Sequence, residues 1–274
     1  MSSITAGEFT QLKDYLYTNA GIDLGAGKEY LVSARLTEVC KVLEIGSISA
    51  LIKQLRSRRT VGDAVVEAMT TNETSFFRDT APFEALRTQI LPELIKARSG
   101  AKTLKIWSAA CSTGQEPYSL GIMIRENFPQ LANWKIEILA TDIAENKVIE
   151  KAKAGEYSQL EVSRGLQARL LVKYFKQKGR MWKVNSDLRD MVRFRKVNLL
   201  EVPSFLGTFD LLLCRNVLIY FDNPTKKRIL DSLQKHLAKD GFLMLGGSEL
   251  LMGLTKTLTR RALGRTTCYQ HAGG

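Results

Sequence analysis

Histidine is almost missing from this chain, with only His236 and His271 among 274 residues. That argues against a histidine-based catalytic triad and a histidine-rich metal centre, so any chemistry falls to carboxylates, arginines, amides and tyrosines. Cysteine is also scarce. Cys40, Cys111, Cys214 and Cys268 are scattered without a C-x-x-C pair, as expected of reduced thiols in a cytoplasm rather than a zinc site. No uninterrupted apolar run approaches the roughly 20 residues that cross a bilayer. The start, MSSITAGEFTQLKDYL, has no basic segment followed by an apolar core, so no signal peptide is expected. Internal repeats and low-complexity tracts are absent as well.

The composition is that of an ordinary globular protein, 45% hydrophobic and 25% charged. The length suits one large domain or two small ones. A net charge of +12 suits an anionic partner: nucleic acid, anionic lipid or an acidic protein.

Up to about residue 95 the pattern is helical. EFTQLKDYLYTNA, KEYLVSARLTEVCKVL, SISALIKQL and VGDAVVEAMTT repeat apolar residues at helical spacing, and APFEALRTQILPELIKAR adds one or two longer helices, with Pro92 as a kink or restart. From Lys102 the texture changes. LKIWSA, WKIEILATD, FDLLLCRN and FLMLGG are short apolar runs expected of strands buried on both faces. Helical stretches separate them; NPTKKRILDSLQKHLAKDG reads as one helix from Asn223 to a stop at Gly241. The alternation predicts a doubly wound α/β sheet. Between about 176 and 197, a glycine-bearing turn and the alternation Val192-Arg193-Phe194-Arg195 predict a small antiparallel excursion. LTRRALGRTTCYQH predicts a terminal antiparallel pair.

The stretch SAACSTGQEP, residues 108 to 117, stands at a strand–loop–helix turn, where a phosphate-binding protein carries several glycines and often a lysine. Here there is one glycine, Gly114, no lysine, and a carboxylate, Glu116. A pyrophosphate would be repelled, whereas S-adenosylmethionine, phosphate-free with sulfonium and ammonium groups, would be favoured. Asp142, ending the next strand, is placed to accept hydrogen bonds from ribose hydroxyls. A bland reading stands beside this one: Glu116 suits any helix N-terminus and Asp142 any cap for a helix at Ala144. CRNVLIYFD, residues 214 to 222, brings Arg215, Asn216 and Tyr220 to the carboxyl end of another buried run, and TTNETSFFRD, residues 70 to 79, contributes Asn72, Thr74 and Arg78.

Together, TTNETSFFRD, SAACSTGQEPYSLGI, LATDI, VNLL and CRNVLIYFD resemble, in order and approximate spacing, the CheR family of chemoreceptor glutamate methyltransferases. The resemblance implies a Rossmann-like, S-adenosylmethionine-dependent domain over 81–274 with a β-subdomain at about 176–197, preceded by an all-helical receptor-docking domain over 1–80. It implies that Asn72, Thr74 and Arg78 reach onto the cofactor and that Glu116 and Asp142 hold its amino-acid and ribose portions. Asn198 and Leu199 would border the adenine, and Arg215 and Asn216 would line the bottom of the site. Arg78 and Tyr220 would stand closest to methyl transfer. Gln115 departs from the family, where many members carry a second acid. The implied partner is the acidic methylation region of chemoreceptors, and the implied product is S-adenosylhomocysteine.

A basic docking face is the expected complement to such a partner. Residues 28 to 59 offer Lys28, Arg35, Lys41, Lys53, Arg56, Arg58 and Arg59 against Glu29, Glu38 and Glu44; Lys28 and Arg35 share a helix face, Lys41 does not. The short turn KQKGRM argues against gripping a C-terminal receptor peptide, and a monomer is expected. Two rivals remain open from the residues alone: a nucleic-acid methyltransferase, although no N-P-P-Y-type motif stands where CRNVLIYFD does, and a non-catalytic nucleotide-binding module.

Overall fold

The computed structural model describes residues 4–25, 27–251 and 253–273. They form two compact units, one running to Thr71 and including Tyr220–Lys226, the other comprising Asn72–Ile219 and the chain from Lys227 onward.

The first unit is helical. Helix α1 (Ala6–Ala20) starts at a capping box in which Thr5 and Glu8 satisfy each other's backbone N–H. It is followed by α2 (Glu29–Val42), α3 (Ile48–Gln54), capped by Ser47, and α4 (Arg59–Met69). Leu12, Leu16, Leu36, Leu51, Val61 and Val65 are fully buried among them, so the helical periodicity of the sequence is the imprint of this core. The segment 220–226 is tied in by Tyr17, whose hydroxyl donates to Asp222 at 2.8 Å.

The second unit opens with α5 (Thr80–Ala85), a π turn (Leu86–Ile90) and α6 (Leu91–Ala97). Pro92 lies in the first turn of α6. It has no N–H to donate, and the widened turn just before it absorbs the mismatch without ending the helix.

Strand β1 (Thr103–Ala109), α7 (Gln115–Asn127), β2 (Lys135–Asp142), α8 (Glu150–Ala154) and β3 (Glu156–Ser158) come next. They are followed by α9 (Gln159–Ser163), α10 (Ala168–Tyr174), β4 (Phe175–Lys178), β5 (Met181–Val184), α11 (Ser186–Arg189) and β6 (Val192–Lys196). The chain ends with β7 (Phe209–Cys214), α12 (Asn223–Leu233), β8 (Leu237–Leu245), β9 (Leu258–Leu263) and β10 (Thr266–His271).

The main sheet has seven strands in the order β6-β2-β1-β7-β8-β10-β9. The first five are parallel, while β10 runs antiparallel to both β8 and β9. Every residue of β7 is buried, which is why FDLLLC reads as a continuous apolar run. The chain builds outward from β1 to β2 and β6, then returns to lay β7 on the other flank of β1. Strand order therefore reverses between β1 and β7, the kind of switch point beyond whose carboxyl ends open α/β sheets bind ligands.

Two sequence expectations are corrected. The alternation Val192–Arg195 is not part of the antiparallel excursion; it is β6, the parallel edge strand of the main sheet, paired with β2 from Ile138↔Val192 to Asp142↔Lys196. An edge strand has one wet side, so Arg193 and Arg195 are exposed while Val192 is buried, and period two cannot tell the two cases apart. The small sheet is instead β3-β5-β4, beginning at Glu156 and ending at Val184. The second correction concerns the helix expected to stop at Gly241. It ends at Leu233, and after a 3-10 turn (Gln234–His236) the chain is already β8 at Leu237. Buried His236 donates from Nδ1 to the Gly207 carbonyl at 2.7 Å and meets Trp107 edge-on, drawing the turn into the core.

Candidate active site

Four loops project from the carboxyl ends of β1, β2, β6 and β7. The loop after β1 is the most constrained. Ala110 and Ser112 hold positive φ values of 56° and 51°, conformations that cost an L residue on the order of 1 kcal/mol. A Cβ on Gly114, φ 93°, would lie 2.9 Å from the Ala152 Cβ and 3.1 Å from the Tyr157 hydroxyl, so α8 and β3 require glycine there. The loop is pinned from three sides. Ser112 N donates to Asp142 Oδ2 at 2.9 Å, Ser112 Oγ to the Asn72 carbonyl at 2.8 Å, and the Tyr157 hydroxyl to the Thr113 carbonyl at 2.7 Å.

Arg215 is the hub of the site. Its side chain is 2% exposed. Nη1 donates to Glu116 Oε2 at 2.8 Å; Nη2 donates to Asp79 Oδ2 at 2.9 Å and to the Arg78 carbonyl at 2.8 Å. The other oxygen of Glu116 accepts the Ser108 hydroxyl at 2.7 Å. Glu116 is thus a shared, largely buried carboxylate. One guanidinium serves two carboxylates, and the Asp142 carboxylate is tied to the adjoining loop through Ser112 N. Phe77 and Asp79, at φ 48° and 63°, bracket Arg78, and Asn216 has φ 58°. Of seven non-glycine residues with positive φ among the described residues, five lie in these three segments; strain of this kind gathers where surrounding contacts over-determine a functional geometry.

The sequence-predicted residues are placed as follows. Asn72 meets the β1 loop through its carbonyl, and Thr74 is half-buried. Arg78 carries its carbonyl to Arg215, while its own guanidinium donates to the Glu73 carbonyl at 2.6 Å. Asp142 accepts from both Ser112 N and Ala144 N; one buried carboxylate thus ties the loop after β1 to the turn after β2. Asn198 accepts from Leu200 N at 3.0 Å, Leu199 is buried, and Val197 N donates to the Asp142 carbonyl, which sets the end of β6 beside that of β2. Tyr220 falls in the helical unit and is exposed. Of the proposed docking residues, Arg35 is spoken for: it donates to the Ala68 and Met69 carbonyls at 3.2 Å, capping α4. Lys41 pairs with Glu38 at 2.7 Å, and Lys28 and Arg56 are exposed.

Sequence reading missed Asp79 and Glu249. Asp79 lay inside a stretch already singled out, beside the arginine that drew attention. Glu249 follows the Gly246-Gly247 pair at the end of β8, a carboxylate at the carboxyl end of a buried strand, and that position was the available signal. The cysteines supply no nucleophile. Burial pushes the Cys111 thiol well up, reinforced by Asp142 and Glu116; burial, with Glu249 and Glu116, does the same to Cys214.

This donor set fits an amino-acid-bearing nucleoside. Arg215 Nε is buried and has no hydrogen-bond partner among the described residues, a donor suited to a carboxylate. Carboxylates such as Glu116 and Asp142 are acceptor-only groups suited to cationic groups and hydroxyls. No phosphate-cradling lysine or multi-glycine loop accompanies them.

Comparison with known proteins agrees. Residues 7–70 match the CheR methyltransferase all-alpha domain, and residues 72–266 match the CheR methyltransferase SAM binding domain. Chemotaxis protein methyltransferase 1 of Pseudomonas aeruginosa is 45% identical over 260 residues, covering 93% of this chain and 93% of that protein. A chemotaxis protein methyltransferase of Pseudomonas putida is 43% identical, covering 90% and 91% respectively. That of Vibrio parahaemolyticus is 38% identical, covering 93% and 94%. With both domains matched in order and relatives of this identity along nearly the whole length, the chain belongs to the CheR family of S-adenosylmethionine-dependent chemotaxis protein methyltransferases.

Proposed function

We propose that the site at the carboxyl ends of β1 and β7 is where this chain carries out its family's reaction, methylation of chemoreceptor glutamate side chains to γ-methyl esters for chemotactic adaptation. The match of both family domains carries this reading. A glutamate carboxylate has a reference pKa near 4.3 and is already an anionic nucleophile at neutral pH. No general base is needed, in keeping with a chain whose two histidines, His236 and His271, bond to backbone carbonyls. Bound S-adenosylmethionine supplies a methyl group on a sulfonium, which departs as a neutral thioether.

The chain's own contribution is alignment and exclusion of water. Glu116 and Asp142 are assigned to the cofactor's amino-acid and ribose portions. Asn198 and Leu199 are assigned to the adenine, and Asn72, Thr74, Arg215 and Asn216 to the remaining walls. Arg78 and Tyr220 orient the acceptor carboxylate. Too strong a grip would blunt its nucleophilicity, so their role is positioning during transfer.

The helical residues before about 80 are assigned to receptor docking. With Arg35 committed to α4, the remaining candidates are Lys28, Lys41 and Arg56, joined on α2 by exposed Tyr30 and Leu31. Only Gly179 and Arg180 connect β4 to β5; a turn this short favours taking receptors without gripping a tail peptide, and the enzyme is assigned as a cytoplasmic monomer.

The test is incubation with methyl-labelled S-adenosylmethionine and chemoreceptor cytoplasmic fragments, followed by alkali treatment. Labelled methanol is the expected release; base-stable label, or label on RNA, overturns the reading. In the same assay Arg78→Ala and Tyr220→Phe are expected to lose roughly 10- to 100-fold in turnover while cofactor affinity, measured by calorimetry, changes less. Intact transfer in both variants would sink their assignment.

A further inference from the structure

We propose that Glu249 is a positioning residue for this reaction: it fixes the segment after β7 so that Asn216 is presented to the cofactor site. The inference rests on the assignment of that site above.

Segment 214–219 leaves the sheet at β7 and forms no regular structure until the short turn at Leu218–Tyr220. With no ladder or helix partner there, its backbone N–H groups need other acceptors. Glu249, only 5% exposed, supplies them. Oε2 accepts from Asn216 N at 2.7 Å and Gly246 N at 2.6 Å; Oε1 accepts from Val217 N at 2.9 Å and Ile219 N at 3.3 Å. One carboxylate thus gathers four amides from the loops that follow two adjacent strands.

The surroundings leave Asn216 no slack. A Cβ on Gly246 would lie 2.6 Å from Glu249 Oε2 and 2.8 Å from both Asn216 N and Asn216 Nδ2, so the end of β8 is pressed against the asparagine. Asn216 itself sits at φ 58°, a conformation it tolerates better than most residues but at a cost. Arg215, the preceding residue, is bound on its other side to Glu116 and Asp79. Asn216 is therefore held between Arg215 on one side and Glu249 on the other, and Glu249, outside the assigned cofactor contacts, fixes its backbone N–H and those of Val217 and Ile219 after it.

The chemistry demands a carboxylate. Glutamine would replace one acceptor oxygen by an NH2 group, and whichever oxygen is lost, two backbone N–H donors would face another donor. Aspartate keeps both oxygens on a stem one methylene shorter, and restores part of the network.

The experiment uses the full chain and S-adenosylhomocysteine binding by isothermal titration calorimetry. Glu249→Gln is expected to weaken binding by about 10-fold or more, and Glu249→Asp by less. Asn216→Gly keeps the positive φ and removes the carboxamide. Adding Glu249→Gln to it should weaken binding by no more than about 2-fold further, because the carboxylate acts through Asn216. A purely structural Glu249 would lower the denaturation midpoint yet leave the affinity of the folded fraction unchanged. Wild-type affinity in folded Glu249→Gln, or fully additive losses in the double variant, overturns the proposal. If Glu249→Gln does not fold, Glu249→Asp decides on the same two criteria. Failure of the wild-type chain to bind S-adenosylhomocysteine would instead defeat the assignment of the site.

Discussion

Arg215→Ala is expected to destabilise the methyltransferase domain by about 3–5 kcal/mol and to take cofactor binding to the limit of calorimetric detection. The expectation follows from what the guanidinium leaves behind. Glu116, whose side chain is 12% exposed, keeps only the Ser108 hydroxyl, and a buried carboxylate stripped of its cation carries a penalty of that size. Asp79 adds little to the figure, because its side chain is half-exposed and water screens it. The same substitution frees the Arg78 carbonyl, so segment 77–79 loses one of its anchors and keeps the bond from Phe77 N to Ser119 Oγ. Arg215→Lys separates charge from shape: an ammonium keeps the charge but cannot fork between Glu116, Asp79 and a backbone carbonyl. It should fall between wild type and Arg215→Ala in guanidinium denaturation, with binding still weakened about 10-fold or more. A wild-type midpoint for Arg215→Ala would show that the cluster contributes nothing net.

The second large effect is expected at Asp142. Asp142→Asn should weaken S-adenosylhomocysteine binding by roughly 100-fold, because hydrogen bonds to a charged acceptor are each worth about 1.5–3 kcal/mol. The domain should stay folded, since an asparagine oxygen can still take Ser112 N or Ala144 N. Asp142→Ala removes both acceptors and should lower the denaturation midpoint as well. The split is the informative part: affinity lost in both variants, stability lost mainly in alanine. Unchanged affinity in a folded Asp142→Asn would move the ribose elsewhere.

Much of the fold was legible because its cause is local. Strands buried on both faces must be apolar throughout, as β7 is, and the helical unit must repeat its apolar positions to fill one core. What failed was also physical. An edge strand and a hairpin strand share the same one-sided wetting, so Val192–Arg195 could be read as either. The true end of α12 depends on where the ring of His236 finds Gly207, a partner 29 residues away. Arg35 looked like a surface cation because nothing in α2 reveals that the carbonyls of α4 lie within its reach. The loop after β1 was informative through what it excluded, whereas Glu249 acts on backbone amides, which every sequence possesses and none advertises.

The helical unit is not a detachable cassette. Its fabric includes residues 220–226, which the chain reaches only after completing most of the other unit, so the polypeptide passes from one unit to the other three times. A gene break after residue 71 would leave the segment bearing Asp222, the partner of Tyr17, on the wrong fragment. Recombination that exchanges the helical part for another would have to replace two separated stretches at once. The two family segments are therefore expected to be inherited together and to diverge in step.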